Sequence, residues 1–456
     1  MMVSTPEPLA AAPPPLWRNL WQLAVSALRS DHAHVRILSG SMIMLLGSVG
    51  VSGVNFVYNM VTARLLGPTD FGHITVAVTL LMFASAITLA FQLLCAKFVA
   101  RNESLASKKK VISDLHKKSW LVSTLVALGL VLSSSALTRY LHLPYRSIVL
   151  FLALGVWFYI PLGVRRGAIQ GMCAFPRLAS NFMLEVGVKF VGAVVFIELL
   201  LHTGLGPAVM GAIAAITLSV IAAYFLPPLT PHLRGREPRN LAQVCTPASA
   251  QEGIQAIVFF IGQVLITNTD MIMVKHFFAP REAGLYAAVA LVGRVLYFVS
   301  WSLVSAMFPV TANAHKQDAN FSVLAIPLGL VLLISGSFVA ITFFIPHLIM
   351  RLVFGAAFHM PSEGLLSLYA AATGVYALSV VLIAFEMSRK IANTAWLQLL
   401  FSGLIVAGIY FFHSDLQEVV MVQMVLMSLM LVIVSLPFVR VHLRQVTRFV
   451  DERRAA

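Results

Sequence analysis

Charged residues are scarce in this sequence of 456 amino acids. Asp, Glu, Lys and Arg make up 11% of it, 59% is hydrophobic, and the mean hydropathy is +0.88. A soluble domain would carry about 25% charged residues, so the composition excludes a soluble globular protein. Apolar runs of about 20 residues, the length that crosses a bilayer as a helix, recur along the chain and predict an all-α integral membrane protein.

Motifs of catalysis and metal binding are also missing. The three cysteines, Cys95, Cys173 and Cys245, are far apart, and no His/Cys cluster has the spacing of zinc ligands. The sequence has no P-loop, no HExxH motif, no paired carboxylates and no nucleophile beside a base. These absences predict that the protein is not an enzyme and that it uses no cofactor and no metal.

Acidic residues are fewer than basic ones, 18 against 32, which gives a net charge of +14. Counting Lys and Arg in the connections between predicted helices places 24 on the side of the N-terminus and 5 on the other side. Because cytoplasmic loops are enriched in Lys and Arg, both termini are predicted to be cytoplasmic. The basic residues then face anionic membrane lipids, and no nucleic-acid partner is predicted.

Twelve membrane spans are predicted from the apolar runs. They cover residues 37–63, 74–96, 119–137, 147–164, 178–201, 207–228, 249–276, 283–311, 322–345, 363–386, 391–412 and 417–439. This divides the chain into an N-terminal segment, a six-helix bundle, a cytoplasmic linker, a second six-helix bundle and a basic cytoplasmic tail. The boundaries of these five parts are 1–36, 37–228, 229–248, 249–439 and 440–456. The first part is predicted to be an interfacial helix, with a disordered cytoplasmic tail as the alternative.

A short internal repeat relates the two bundles. The sequence RLLGPTDFG at 64–72 returns as HFFAPREAG at 276–284, an offset of 212 residues. In both copies a proline is followed by an acid and then a glycine, which suits a tight connection between two helices. Because each copy follows the first helix of a six-helix half, both are predicted to lie on the outer face, as in a parallel repeat.

Ionisable residues within spans point to function, because their burial in lipid costs several kcal/mol. Glu185 and Lys189 are spaced i and i+4 in the fifth span, with the acid first. One interpretation is an ion pair within this helix. The other is that Lys189 faces a central aqueous cavity and binds an anionic substrate, with Glu185 beside it.

The seventh span also contains an acid, Asp270. It shares a polar stripe with Thr267 and Gln263, at three and seven residues before it. Asp270 is therefore a candidate for coupling transport to a proton or another cation. The structural alternative is that it pairs with Lys275 or extends toward the outer surface.

Arg294 lies near the middle of the eighth span and has no acid within one turn of its own helix. A guanidinium keeps its charge, so it needs a partner helix, water or an anion, and phosphate suits its planar fork. Anion binding in a cavity and an interhelical ion pair are the two interpretations. Arg64, at the outer end of the first span, is predicted to anchor the interface or to line the mouth of the cavity.

Three segments of the chain carry recognisable motifs. Residues 55–81 contain an R-x-LGP-x-x-FG-type connection, residues 165–179 contain a Gln-Gly loop, and residues 269–310 contain a D…K…AG-Y-A…R pattern. These segments resemble the oligosaccharide flippases of polysaccharide biosynthesis, within the multidrug/oligosaccharidyl-lipid/polysaccharide exporter superfamily. The positions that carry the resemblance are Arg64, Leu66, Gly67, Pro68, Phe71, Gly72, Gln170, Gly171, Phe175, Asp270, Lys275, Ala283, Gly284, Tyr286, Ala287 and Arg294. The resemblance covers about residues 37–440.

This resemblance implies two six-helix bundles around a central cavity, a MATE-like architecture in the inner membrane of a bacterium. The implied substrate is a polyprenyl-pyrophosphate-linked oligosaccharide, carried to the periplasmic leaflet by alternating access. Arg294 and Lys189 would bind the pyrophosphate, with Arg64 at the mouth of the cavity. A proton or sodium gradient would act through Asp270 or Glu185. Membrane lipids and other polysaccharide synthesis proteins are the remaining expected partners.

Two other functions stay open at this stage. A cation-coupled multidrug antiporter of the same superfamily would share the fold, although more buried acids would be expected in its first bundle. A membrane enzyme of polysaccharide synthesis would be expected to carry a large outer loop, whereas the longest outer connection, about 346–362, is short. A scaffold for a polysaccharide synthesis complex is a further alternative.

Overall fold

The computed structural model describes residues 33–102, 104–226, 250–313, 322–359, 362–389, 394 and 396–455. Most of the predicted N-terminal segment and the whole linker 229–248 lie outside these residues. The described part of the chain is helical and contains no strand. This confirms the predicted all-α fold class.

The first half of the chain, residues 33–226, contributes six helices. They are α1 (Ala33–Arg101), α2 (Leu105–Leu132), α3 (Ser134–Tyr140), α4 (Arg146–Gly171), α5 (Phe175–Thr203) and α6 (Ala208–Phe225). Helix α1 contains the first two predicted spans, because the backbone turns sharply at Gly67 (φ 75°, ψ 178°) and the helix resumes with Pro68. We call this part of the chain the N-half.

The second half, residues 250–455, contributes seven helices and is called the C-half. They are α7 (Ala250–Phe277), α8 (Pro280–Asn313), α9 (Ser322–Phe344), α10 (Pro346–Phe354), α11 (Leu365–Arg389), α12 (Leu397–Phe411) and α13 (Leu416–Ala455). Six of these helices match the six predicted spans. The short helix α10 was not predicted and lies in the connection that follows α9.

Many of these helices are long and apolar enough to cross a membrane. By length and composition there are eight such stretches in the described residues, the first being the 56-residue run Leu46–Arg101 that holds two predicted spans. Helix α12 is apolar but shorter. Helices α5 and α8 have the required length but carry ionisable residues, among them Lys189 and Arg294. The protein is therefore a multi-pass membrane protein.

Glycines let two helices of the N-half approach closely. A Cβ atom added to Gly163 or Gly167 of α4 would lie 2.3 Å from the carbonyl oxygen of Thr88 or Gln92 of α1, and one at Gly171 would lie 2.6 Å from that of Ala96. The three glycines of α4 recur every four residues, and so do the three contacted residues of α1, so each set forms one ridge of its helix. Small residues of this spacing are typical of close helix contacts in membranes.

The two copies of the repeated connection contact each other directly. A Cβ atom at Gly72 would lie 2.9 Å from the backbone nitrogen of Gly284, and one at Gly284 would lie 1.7 Å from the carbonyl oxygen of Pro68. Only glycine fits at these two positions, because the backbones of the halves touch there. We call the end of the molecule that carries this contact the repeat end. The sequence predicts that it is the outer end.

Aromatic side chains and hydrogen bonds extend this contact. Phe71 of the N-half packs against Phe354 and Phe358 of the C-half, with ring centroids 5.9 Å apart in each pair. The ring of His276 stacks on Tyr140 at 3.8 Å, and its Nδ1 lies 2.8 Å from the Tyr140 carbonyl oxygen. These contacts hold the two halves together at the repeat end.

Arg64 also joins the halves at this end. Its Nε donates to the carbonyl oxygen of Val353 at 2.9 Å, and its Nη2 donates to that of Leu352. Nearby, the buried amine of Lys275 in the C-half has no hydrogen-bond partner among the described residues, and its charge is attracted to Asp70 of the N-half. Arg64 thus adds two hydrogen bonds to the packing between the halves.

Candidate functional site

A polar cluster centred on Asp270 lies within the apolar core of the C-half. Asp270 Oδ2 accepts hydrogen bonds from the hydroxyl groups of Tyr286, at 2.8 Å, and Tyr369, at 3.0 Å. The Tyr286 hydroxyl in turn accepts from Gln423 Nε2 at 2.9 Å. Helices α7, α8, α11 and α13 each supply one of these four side chains. The carboxylate is 2% exposed, so these donors replace the water that it lost on burial.

Arg294 is the cation of this cluster. Its Nη2 forms an ion pair with Asp270 Oδ1 at 3.1 Å, its Nε donates to the Tyr369 hydroxyl at 3.3 Å, and its Nη1 donates to Asn268 Oδ1 at 3.4 Å. Arg294 lies on α8, whereas Asp270 and Asn268 lie on α7. The structure thus joins two residues that the sequence analysis treated separately, in the geometry of an interhelical ion pair.

The two members of this pair differ in exposure. The side chain of Arg294 is 18% exposed, and that of Asp270 is 2% exposed. Asp270 is therefore enclosed, whereas part of the Arg294 side chain remains exposed. An approaching ligand would meet the arginine before the acid.

A second buried ion pair lies in the N-half. Arg166 Nη2 of α4 contacts Glu185 Oε2 of α5 at 2.5 Å, and Arg166 Nε donates to Asn181 Oδ1 at 2.7 Å. Asn181 Nδ2 donates to the Ala223 carbonyl oxygen of α6 at 3.0 Å. Here the arginine is sealed, at 2% exposure, and the acid is the more open member, at 19%.

Glu185 therefore pairs with a different helix and not with Lys189. The amine of Lys189 donates to Asn55 Oδ1 of α1 and lies 4.6 Å from the ring centroid of Tyr58. Neither contact is with an acidic side chain. The amide oxygen and the aromatic face attract the amine through partial negative charges only. Lys189 is half-buried and remains a candidate for binding an anion.

Arg64 is not part of either cluster. It is exposed at the repeat end, where both of its contacts are carbonyl oxygens of α10. Lys275, a possible partner of Asp270 in the sequence analysis, lies at the junction of the halves with Asp70 as its attracting acid. In the part of the chain that the structure describes, no group of three His, Cys, Asp or Glu side chains is placed to hold a metal ion.

Several residues of these clusters were not predicted from the sequence. Tyr286, Tyr369 and Gln423 lie on three different helices, and an apolar helix gives no signal of where its tyrosines point. Arg166 was counted as a residue of a cytoplasmic connection, but it lies inside α4 and is buried. Its neighbour Arg165 instead contacts the ring of Tyr224 at 3.8 Å. Adjacent residues on a helix point about 100° apart, so one arginine of this pair faces the core.

The sequence matches one protein family over most of its length. A family model described as "Polysaccharide biosynthesis protein" matches residues 37–315, which is more than half of the chain. A comparison with curated proteins gave no match. The family resemblance predicted from the repeated connection and the charged residues is therefore confirmed.

Solved structures of MATE transporters are similar to this fold. The inward-facing conformation of a multidrug resistance MATE family transporter of the MOP superfamily aligns with a TM-score of 0.67 and 12% identity, over 89% of this chain and 99% of that chain. The outward-facing conformation of such a transporter aligns with a TM-score of 0.58 and 13% identity, over 92% and 98% of the two chains.

A third similar structure is a MOP superfamily transporter from Pyrococcus furiosus, for which a reverse polarity of the binding pocket suggests a different function. It aligns with a TM-score of 0.58 and 14% identity, over 92% of this chain and 98% of that chain. The predicted MATE-like architecture is confirmed by these alignments. The chain belongs to the polysaccharide biosynthesis protein family and is a multi-pass membrane protein with the fold of the MATE transporters.

Proposed function

We propose that the protein is a flippase for a polyprenyl-pyrophosphate-linked oligosaccharide repeat unit. It moves this unit from the cytoplasmic to the periplasmic leaflet of a bacterial inner membrane, with both termini in the cytoplasm, for cell-surface or exopolysaccharide synthesis. The observation that carries the proposal is the partly exposed side chain of Arg294 within an apolar helix bundle. A permanent cation in that place suits an anionic substrate.

A second cation at a similar depth supports this proposal. Arg294 follows the first residue of α8 by 14 positions, and Lys189 precedes the last residue of α5 by 14 positions. Both helix ends lie at the repeat end, so each cation is about 21 Å along its helix from that end. One positive charge from each half is thus available near the middle of the membrane, as a diphosphate requires.

The contact between the halves supports alternating access. The halves meet at the repeat end, and the TM-score is higher against the inward-facing MATE conformation than against the outward-facing one. With the repeat end as the periplasmic side, the structure would receive substrate from the cytoplasm. Arg64 would then meet the substrate at the mouth of the cavity only after the halves separate there.

The main test is substitution of Arg294. We expect Arg294→Ala to reduce transport of a lipid-linked oligosaccharide in proteoliposomes at least tenfold, because a charge-assisted hydrogen bond contributes about 1.5–3 kcal/mol. The matched control is Arg281→Ala, which removes an exposed arginine from the start of the same helix. Normal polysaccharide export in cells by Arg294→Ala, at a normal protein level, would contradict the proposal.

Coupling to a proton or sodium gradient is assigned to Asp270, with Glu185 as the second candidate acid. We expect export by the Asp270→Asn variant to lose its response to collapse of the ion gradients, because the amide has no charge to neutralise. Transport by wild-type protein and variant is compared with and without an ionophore. An unchanged response in the variant would remove Asp270 from this role.

The second candidate function is a cation-coupled multidrug antiporter. The partly exposed carboxylate of Glu185 favours it, because it gives the N-half a negative group that a cationic drug would meet. The two functions differ in the group that substrate binding requires. A flippase depends on Arg294 and Lys189, whereas an antiporter would lose drug transport with Glu185→Gln and keep it with Arg294→Ala.

A further inference from the structure

The Asp270 carboxylate does not depend on Arg294 alone. Its Oδ1 contacts the guanidinium, whereas its Oδ2 accepts from the two tyrosine hydroxyls, at 2.8 Å and 3.0 Å. Gln423 orients the Tyr286 hydroxyl toward the carboxylate by donating to its oxygen. If the arginine moved away, the carboxylate would keep two hydrogen bonds. The cost of separating this pair is lower than for a buried acid without other donors.

The contact of Arg294 with Asp270 is long. It measures 3.1 Å, whereas charge-assisted hydrogen bonds between N–H groups and anionic oxygens measure about 2.7–2.9 Å. It uses a single N–H group, and a guanidinium has five. This contact is therefore weaker than the bidentate contact that a guanidinium forms with a phosphate.

We propose that Asp270 occupies Arg294 in the empty transporter and that the phosphate oxygens of the substrate displace it. This proposal rests on the proposed function, because it needs the phosphate group to reach Arg294. Tyr286 and Tyr369 retain the released carboxylate. Asp270 thereby lowers the affinity of the site for every anion, because each must replace its contact with Arg294. A pyrophosphate group, with several charged oxygens, offsets this cost better than an anion of lower charge.

The groups that surround this exchange come from four helices. Asn268 and Asp270 lie on α7, Tyr286 and Arg294 on α8, Tyr369 on α11 and Gln423 on α13. Among them Arg294 and Asp270 carry the two full charges. Removing the charge of Asp270 alone therefore leaves Arg294 as an unpaired cation. This tests directly whether Asp270 competes with an anion for Arg294.

The test measures binding of inorganic pyrophosphate and inorganic phosphate to the purified full-length protein in lipid nanodiscs, by calorimetry at fixed ionic strength. We expect Asp270→Asn to bind both anions more tightly. The affinity for pyrophosphate should rise by about tenfold, since the competing charge-assisted contact is lost. Glu363→Gln is the control, because it removes the same charge from an exposed position outside the cluster.

A second variant tests the retained carboxylate. Tyr286→Phe leaves every contact of Arg294 in place but removes one donor that Asp270 keeps after release. We expect it to weaken pyrophosphate binding, because the released acid is less well solvated. Thermal unfolding of each variant is measured alongside. If Asp270→Asn does not fold, the pyrophosphate affinity of Tyr286→Phe tests the displacement.

The outcomes separate this proposal from the proposed function. An unchanged pyrophosphate affinity in Asp270→Asn, with pyrophosphate binding lost in Arg294→Gln, overturns the role of Asp270 and leaves Arg294 as the substrate cation. Unchanged pyrophosphate binding and normal transport in Arg294→Gln overturn both. Tighter pyrophosphate binding in Asp270→Asn, together with weaker binding in Tyr286→Phe, supports the displacement.

Discussion

At the scale of single residues, the two buried ion pairs among the residues that the structure describes present opposite charges. In the C-half the sealed member is Asp270 and the open member is Arg294, whereas in the N-half Arg166 is sealed and Glu185 is open. The exposed member of a pair can meet a ligand, and the sealed member only balances its charge. Arg166 is thus a structural cation, even though it belongs to the same residue type as Arg294.

The N-half pair predicts a loss of stability on neutralising Glu185. We expect Glu185→Gln to lower the free energy of unfolding by about 2–3 kcal/mol, less than for a fully buried pair, because Arg166 loses its counter-charge while the acid side is partly solvated. Thermal unfolding in detergent measures the effect as a lower Tm.

Glu198→Gln is the control for this prediction. Its carboxylate is 44% exposed and pairs with an exposed histidine on the same helix, so a change within about 0.5 kcal/mol is expected. Equal unfolding temperatures for the two variants would show that Arg166 does not depend on Glu185.

At the scale of elements, glycines decide how closely the helices and connections approach. The ridge on α4 needs three of them to pack on α1, and the repeated connections need Gly72 and Gly284 to touch. In each case the neighbouring atom is backbone, which cannot rotate away as a side chain would. A methyl group at such a position must separate the elements.

This predicts a shifted conformational equilibrium in the Gly284→Ala variant. Its methyl group would lie 1.7 Å from the Pro68 carbonyl oxygen, so closure of the repeat end becomes unfavourable. Ala63 of the N-half is fully buried against the core of the C-half and is replaced by cysteine as a reporter, in a background whose native cysteines are serine. We expect a membrane-impermeant thiol reagent, added from outside, to label Ala63→Cys faster in the Gly284→Ala background.

Gly129→Ala is the matched control, because no atom lies within 4 Å of its added Cβ. Labelling at the same rate in both backgrounds would mean that the repeat end does not open to the outside, or that Gly284 does not restrict it.

At the scale of the whole molecule, the apolar runs predicted the helices well. Each of the twelve spans has a helical counterpart, because a chain in lipid must satisfy its backbone groups internally. Helix ends were less accurate: α4 continues to Gly171, beyond the predicted end at 164, because Arg165 and Arg166 were assigned to a connection. The repeat identified the connections but gave no sign that they touch.

The candidate site was only partly predictable. Arg294 and Asp270 stood out because ionisable groups are costly in lipid, but their mutual contact depends on how α7 and α8 rotate about their axes. A helix that is apolar on all sides does not fix this rotation by its pattern. For the same reason a pair of Glu185 with Lys189 on its own helix was one of the two interpretations of the sequence, whereas the structure pairs Glu185 with Arg166 of α4.

The touching glycines also constrain how this protein can evolve. Gly72 and Gly284 hold the same position in the two copies of the repeat, so the contact has the self-complementary form of a two-fold dimer interface. A single six-helix ancestor carrying this connection would have met its own copy through the same glycine. In the present chain neither copy can gain a side chain at this position, since a side chain in one collides with the backbone of the other.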